Sequence, residues 1–276
     1  PPLNSACNEH EVNLMDLVNF QVGAKTVALP ILNILLTERY DKDLTELPND
    51  NPSFIGVKDF MNLPIPVFDL GKMLNKSSTS ESNRALASRL NELKENTLEW
   101  LLRLDAALNG QSQLQLVPPD QTEFVKWLNE FDCDNEDLHS LLNRIATPLT
   151  ELYQFFQQQV HETDKTAWQR FKDTSSSHLA RLFNSAIEQV DMGYKPIIVF
   201  TTTDGREPHV GLLVDKVEDS LHVNESDIKS LDSVTSVGFQ LDEQTTAMMQ
   251  GLVQLENKHS LIINARAIFS EVTVQT

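Results

Sequence analysis

Segments with the two-residue periodicity of β-strands lie at the two ends of this chain, and a long segment with helical periodicity separates them. In residues 14–74 and 196–270, apolar and polar side chains alternate between clusters of turn-forming residues, a pattern typical of strands. Across roughly residues 78–192, apolar residues instead recur every three or four positions, as on one face of a helix. We therefore expect one strand-built body whose chain is interrupted by a helical insertion.

The alternation predicts strands in both terminal segments. One of them contains Pro64 and Pro66, and because proline cannot donate to a strand ladder, that strand should lie at a sheet edge or start late. The predicted strands are Leu14–Val22, Thr26–Leu36, Phe54–Phe60, Pro64–Leu70, Pro196–Thr203, His209–Val217, Ala247–Leu255 and Ser260–Phe269.

Composition narrows the range of functions. The chain has 276 residues, which suits about two domains, and its net charge of −18 disfavours binding to nucleic acid or to anionic membranes. No apolar run approaches the roughly 18 residues of a membrane span, so no membrane insertion is expected. Cys7 and Cys133 form no disulfide framework, which favours a cytoplasmic protein. The acidic surface serves either solubility or a specific basic partner.

The central segment predicts an up-and-down bundle of four amphipathic helices. Asp120 and Glu123 form a capping-box pattern at the start of the second helix, and Pro148 should kink the third helix or mark a new start. The four apolar stripes run from Leu86 to Leu108, from Phe124 to Phe131, from Leu138 to Val160 and from Trp168 to Val190.

Several short motifs occur in a fixed order in the two strand-rich segments. The first contains Ala28-Leu29-Pro30, Phe54-Ile55-Gly56-Val57 and Pro66-Val67-Phe68-Asp69-Leu70, and the second contains Pro196-Ile-Ile-Val-Phe, Val210-Gly-Leu-Leu-Val-Asp-Lys-Val, Gly251-Leu-Val-Gln-Leu and Leu261-Ile-Ile-Asn. Together they closely resemble the chemotaxis coupling protein family CheW. The resemblance implies a pair of small five-stranded β-barrels. It also implies a non-catalytic adaptor between a chemoreceptor signalling domain and the regulatory domain of a CheA-type histidine kinase.

The chain departs from the family at contact positions. Ile34 and Leu36 stand where the family usually has Val-x-Glu, and Met61-Asn62 stands where it usually has Arg-Gly. Neither methionine nor asparagine reproduces the forked donor of an arginine. Either these changes are neutral in a working coupler, or the surface has acquired altered partners. The resemblance and its departures make Ile34, Leu36, Met61 and Asn62 the candidate partner-binding residues, and an apolar Leu36–Met61 patch is a plausible interface.

The helical segment weakly resembles the CZB module, a zinc-binding helical domain found beside chemoreceptor domains. Trp100 and Trp127 have the family's tryptophan spacing. The family's zinc-ligand positions then fall on Thr97, Thr122, Leu149 and Tyr153, none of which is a thiolate or an imidazole. The resemblance therefore implies a degenerate module, and we expect no metal and no cofactor.

Other side chains were weighed as sites. The run from Asp132 to His139 looks like a metal-ligand cluster, but it lacks the residue pattern of an EF-hand loop and is better explained as an acidic loop that leads into a helix. His178 lies in the fourth apolar stripe, where a hydrogen-bonded core histidine is the common interpretation. A pocket between helices near Trp100 and His178 would suit a small ligand. No converging nucleophile, base and oxyanion donors are evident, so an enzyme is not expected.

These observations predict an α+β protein with three parts. Residues 14–76 form the first CheW-like half, residues 77–193 the inserted four-helix bundle, and residues 194–271 the second half. The expected function is a cytoplasmic signalling adaptor, with the bundle modulating partner choice and with self-association left open. The alternative is a regulatory module in which the bundle binds a small molecule and the CheW-like part transmits the signal.

Overall fold

The computed structural model of the chain describes residues 14–110, 116–132, 135–162, 165–230, 243–255 and 259–268. Cys7 and Cys133 lie outside these ranges. The chain divides into two compact units, of which one combines Pro1–Thr79 with Lys195–Thr276 and the other is Ser80–Tyr194. We call them the sheet unit and the helical unit.

In the described residues the strands are β1 Leu14–Val22, β2 Lys25–Pro30, β3 Ile34–Arg39, β4 Phe54–Phe60, β5 Leu63–Asp69, β6 Ile197–Thr202, β7 Pro208–Val214, β8 Lys216–Asn224, β9 Ile228–Lys229, β10 Met249–Gln254 and β11 His259–Ile263. The helices are α1 Leu70–Asn75, α2 Thr79–Leu108, α3 Glu123–Glu130, α4 Glu136–Gln159, α5 Thr166–Met192 and α6 Glu243–Met248.

The described strands form two mixed sheets, ordered β8-β1-β2-β11-β10-β9 and β3-β6-β7-β5-β4. Each sheet combines strands from both ends of the sequence. In the first, β11 runs parallel to β2, and in the second, β7 runs parallel to β5. The predicted α+β class is confirmed, and the terminal segments share the same sheets as expected.

The expected pair of five-stranded barrels is corrected to two open sheets of six and five strands. Closure requires the two edge strands to pair, and among the described residues β8 pairs only with β1, while β9 is two residues long. The five-stranded sheet comes nearest to closing. A single antiparallel bridge joins Thr45, beyond β3, to Val57 on β4, with backbone hydrogen bonds of 2.9 Å in both directions.

The predicted strand Thr26–Leu36 is broken at Pro30 and divided between the two sheets. Residues Ile31–Asn33 form a turn of 3-10 helix between β2 and β3. Proline fixes φ and has no N–H to donate, so the ladder of β2 cannot continue unchanged through it. The break lets β2 pair with β1 and β11 while β3 pairs with β6.

The prolines of β5 restrict its pairing but do not place it at an edge. Strand β5 lies between β4 and β7. Its pairing with β7 covers only Val67–Asp69, so the half that contains Pro64 and Pro66 pairs with β4 alone. The expected late start is therefore observed on the β7 side, because that ladder begins after the second proline.

In the described helical unit, α2, α3, α4 and α5 share one apolar core, which includes Leu93, Phe124, Leu149 and Phe183. Helix α5 runs antiparallel to α2: Lys172 Nζ lies 3.1 Å from Asp105 Oδ2, and Lys94 Nζ donates to Asn184 Oδ1 at 3.4 Å. No described helix combines the length and the apolarity needed to cross a membrane.

Two local predictions in this unit need correction. The N-cap of α3 is Thr122, whose hydroxyl accepts from the backbone N–H of Val125 at 3.5 Å, while Asp120 lies in a preceding 3-10 turn. Two consecutive prolines before Asp120 favour that short turn, which moves the helix start forward. Of the two outcomes predicted for Pro148, the new start is wrong, since α4 continues through it from Glu136 to Gln159, and the kink stays a prediction.

Candidate partner-binding surface

Met61 and Asn62 form the two-residue turn between β4 and β5. Phe60 pairs with Leu63, and the two turn residues have φ values of 53° and 64°. Positive φ at both positions is typical of the type I′ hairpin turn, where asparagine and glycine are preferred. The Asn62 N–H donates to Asp59 Oδ1 at 2.9 Å, which reinforces the turn. Met61 has no such preference, and its left-handed conformation costs about 1–2 kcal/mol.

The side chain of Met61 is strongly exposed although it is large and apolar. Its exposed fraction is 77 %, and that of Leu63 directly after the turn is 48 %. Met61 belongs to none of the apolar clusters in the described residues, whereas the preceding Phe60 is buried and stacks on Phe200 with ring centroids 4.5 Å apart. The sheet therefore fixes the base of the turn and presents Met61 outward.

Ile34 and Leu36 lie on the edge strand β3, and both are half-buried. The pairing of β3 with β6 shifts register between them, as at a β-bulge. Ile34 accordingly packs on the cluster that contains Phe20, whereas Leu36 packs on the cluster that contains Phe60. Leu36 therefore belongs to the same cluster as Phe60, the residue before Met61. Because its side chain is partly buried in that cluster, only part of it is accessible to a partner.

A buried lysine on β4 joins this strand to the residues of β3 and beyond. The side chain of Lys58 is 10 % exposed, and its Nζ lies 3.0 Å from Glu38 Oε1 and in contact with Asp43 Oδ2. Burial lowers the pKa of Lys58, but hydrogen bonds to Asp43 and Glu38 outweigh it and raise that pKa above its ordinary value. The same hydrogen bond to Lys58 lowers the pKa of Asp43. Both ions are therefore charged at neutral pH.

This ion cluster was not predicted from the sequence. The available signal was that Gly56, Lys58 and Phe60 fall on one side of β4, the side that is buried. A lysine among inward positions needs a partner, because an unpaired buried charge is costly. Its acidic partners, Glu38 and Asp43, are separated from it in the sequence by a long loop. Only the tertiary structure therefore shows which carboxylates pair with Lys58.

Thr97 and Thr122, two of the four zinc-ligand positions of the CZB resemblance, come together in the helical unit. They line a pocket of about 200 Å³ beside Trp100. The hydroxyl of Thr97 donates to Leu93 O at 2.8 Å, and that of Thr122 to Pro119 O at 2.7 Å.

The other two positions, Leu149 and Tyr153, do not line this pocket but belong to the same apolar cluster as Trp100. Leu149 is fully buried, and the Tyr153 ring stacks on Trp100 with centroids 6.3 Å apart. Two engaged hydroxyls, a leucine and a phenol do not fit a tetrahedral zinc site, which needs thiolates or imidazoles. The CZB resemblance itself stays a prediction.

His178 does not join Trp100 at that pocket. It is exposed on α5, and the buried stripe passes through the adjacent Leu179. The interpretation of His178 as a core residue is therefore wrong, because the helix turns its side chain to solvent. In the run from Asp132 to His139, residues 133–134 lie outside the described ranges, and no cluster of three or more metal-ligating side chains occurs in the described residues.

Comparison with known proteins identifies part of the chain. The sequence model of the CheW-like domain matches residues 16–94, which include β2 to β5 and α1. No curated protein is significantly similar in sequence. Among solved structures, the scaffolding protein TtCheW from Thermoanaerobacter tengcongensis is 13 % identical, with a TM-score of 0.41 over 93 % of this chain and 88 % of that one. A TM-score below 0.5 adds no support of its own. On the family match, residues 16–94 of this chain carry a CheW-like domain.

Proposed function

We propose that this chain is a non-catalytic adaptor of chemotaxis-type signalling. It would act in the cytoplasm, where it joins a chemoreceptor signalling domain to the regulatory domain of a CheA-type histidine kinase. The observation that carries the proposal is the CheW-like domain over residues 16–94. That range includes Ile34, Leu36, Met61 and Asn62, the four candidate partner-binding residues.

The geometry suits binding by contact alone. The β4–β5 turn holds an exposed methionine on a tight hairpin, so a partner meets a preformed shape and little ordering is required on binding. Methionine side chains adapt to varied apolar surfaces, which suits a residue that contacts more than one partner. Met61 and Asn62 form the accessible part of the candidate surface, and Leu36 supports it from the same cluster as Phe60.

The helical segment, residues 77–193, would modulate partner choice or self-association. The alternative function, a small-molecule-sensing module, is favoured by one observation, the pocket beside Trp100. A thermal shift distinguishes the two. A ligand present at a hundred times its dissociation constant stabilises a single site by about 2.7 kcal/mol. If a metabolite from a panel raises the melting temperature of the helical unit, and Thr97→Phe abolishes that increase, the sensing function is supported.

The adaptor function is tested by binding of the full chain to purified chemoreceptor hairpin tips and to the kinase regulatory domain. Met61→Glu should weaken binding about tenfold or more, since a buried interface anchor contributes about 2 kcal/mol. The variant should fold normally, because Met61 is exposed and packs in no described cluster. Leu102→Glu is the control, since Leu102 is 63 % exposed and lies on α2. Failure of the unaltered chain to bind either partner would refute the adaptor function.

A further inference from the structure

We infer that the β4–β5 turn surface, formed by Asp59, Met61, Asn62 and Leu63, binds a protein surface that presents an apolar side chain flanked by lysines or arginines. The inference rests on the proposed adaptor function and adds the chemistry of the partner. It predicts a positively charged partner surface, whereas an arginine at this turn would favour a negatively charged one.

The apolar part of the surface is Met61 together with Leu63. Their exposed fractions of 77 % and 48 % place two large apolar side chains on either side of Asn62 in water. The hairpin ladder pairs Phe60 with Leu63, so the exposed side chains start from a fixed backbone. An apolar contact at this point would remove both from solvent.

The charged part of the surface is acidic. Between residues 38 and 63 the chain carries six carboxylates and three cations. Asp59 is exposed beside the turn, and the 38–46 segment is held against β4 by the Thr45–Val57 bridge and by Lys58. Two of the three cations are engaged: the Lys58 ammonium is buried between Glu38 and Asp43, and Arg39 Nε lies 3.4 Å from Asp41 Oδ1.

The exposed fractions show which charges a partner would meet. The side chains of Glu38 and Asp43 are 42 % and 53 % exposed, whereas that of Lys58 is 10 % exposed. The carboxylates therefore face solvent while the ammonium that bridges them does not. Lys42 is exposed between Asp41 and Asp43, and even when it is counted, residues 38–63 carry more carboxylates than cations. A second copy of the chain, also at −18, would be repelled, and a basic partner would be attracted.

The test uses the full chain with the receptor hairpin tip and the kinase regulatory domain as probes, at 50 and 300 mM salt. Asp59→Asn removes a charge and keeps an oxygen that accepts from the Asn62 N–H, so the turn is preserved. We expect it to weaken binding about twofold to fivefold at low salt and to have less effect at high salt. Met61→Gln, which keeps the length and removes the apolar end, should weaken binding at both salt concentrations.

A matched control is Asp173→Asn, an exposed carboxylate on α5 whose removal should leave binding unchanged. If the unaltered chain binds neither probe, the adaptor function fails and this inference fails with it. If it binds, but salt and Asp59→Asn have no effect or strengthen binding, only the inference is overturned. Dimerisation that Met61→Gln abolishes in sedimentation experiments would also overturn it, since the occupant would then be a second copy.

Discussion

The buried Lys58 makes a quantitative prediction about how the five-stranded sheet is held together. The substitution Lys58→Met keeps the length of the side chain and removes its charge. In the double variant Glu38→Gln with Asp43→Asn, the ammonium is kept and both of its carboxylate partners are removed. The structure predicts that these two changes have unequal effects on the free energy of unfolding.

The magnitudes follow from burial. Breaking a fully buried ion pair costs about 3–5 kcal/mol, whereas an exposed pair contributes about 0–1 kcal/mol. Here the Lys58 side chain is 10 % exposed, but its partners are 42 % and 53 % exposed. After Lys58→Met the two carboxylates remain hydrated, so we expect a loss of about 1–2 kcal/mol. The double variant leaves the buried ammonium without ionic partners, so we expect about 3 kcal/mol.

Urea unfolding at pH 7, followed by far-UV circular dichroism and by amide exchange of β4, measures both losses. The raised pKa of Lys58 means that its contribution is complete at neutral pH and is lost only as the pH rises through that pKa. The lowered pKa of Asp43 adds stability that is lost as the pH falls below the ordinary aspartate value. If Lys58→Met destabilises the chain more than the double variant does, the burial argument for the unequal losses is refuted. If Lys58→Met stabilises the chain, the assignment of Lys58 as a net stabilising cross-link is refuted.

Three further predictions concern single positions. Gly56→Ala should cost about 3 kcal/mol in urea unfolding, because φ is 141° and an added Cβ would lie 2.8 Å from Thr45 O. Asp105→Ala should cost about 2–4 kcal/mol, because it leaves the Lys172 ammonium buried without its carboxylate, and Asp105→Asn should cost less. Burial raises the pKa of Asp215, so its ionisation opposes folding as the pH rises above the ordinary aspartate value. The free energy of unfolding of Asp215→Asn should therefore rise relative to that of the unaltered chain as the pH goes from 4 to 7, and a difference that stays constant with pH would contradict this account.

Periodicity predicted the elements whose burial is regular. Strands β1 and β4 begin and end at the predicted residues, and α4 and α5 follow the apolar stripes closely. Strand β8 was missed beyond Val217, because it lies at a sheet edge with mostly exposed residues and so shows no apolar alternation. His178 was wrongly predicted to be buried for a related reason. A spacing of three or four residues between apolar positions does not decide whether His178 or the adjacent Leu179 faces the core.

The sequence by itself determined the α+β class and the helical interruption, because both follow from local periodicity. The candidate partner-binding residues came from the resemblance to the CheW family, which the order of short motifs carries. Only the tertiary structure decided that β2 and β3 belong to different sheets, that β5 pairs with β7, and that Lys58 meets Glu38 and Asp43. Tertiary structure also divided the four candidate residues, burying Ile34 and Leu36 in part and exposing Met61 and Asn62. Contacts between distant segments depend on which strands pair and on how the sheets curl. Local periodicity does not fix either of these, because both depend on residues that are far apart in the sequence.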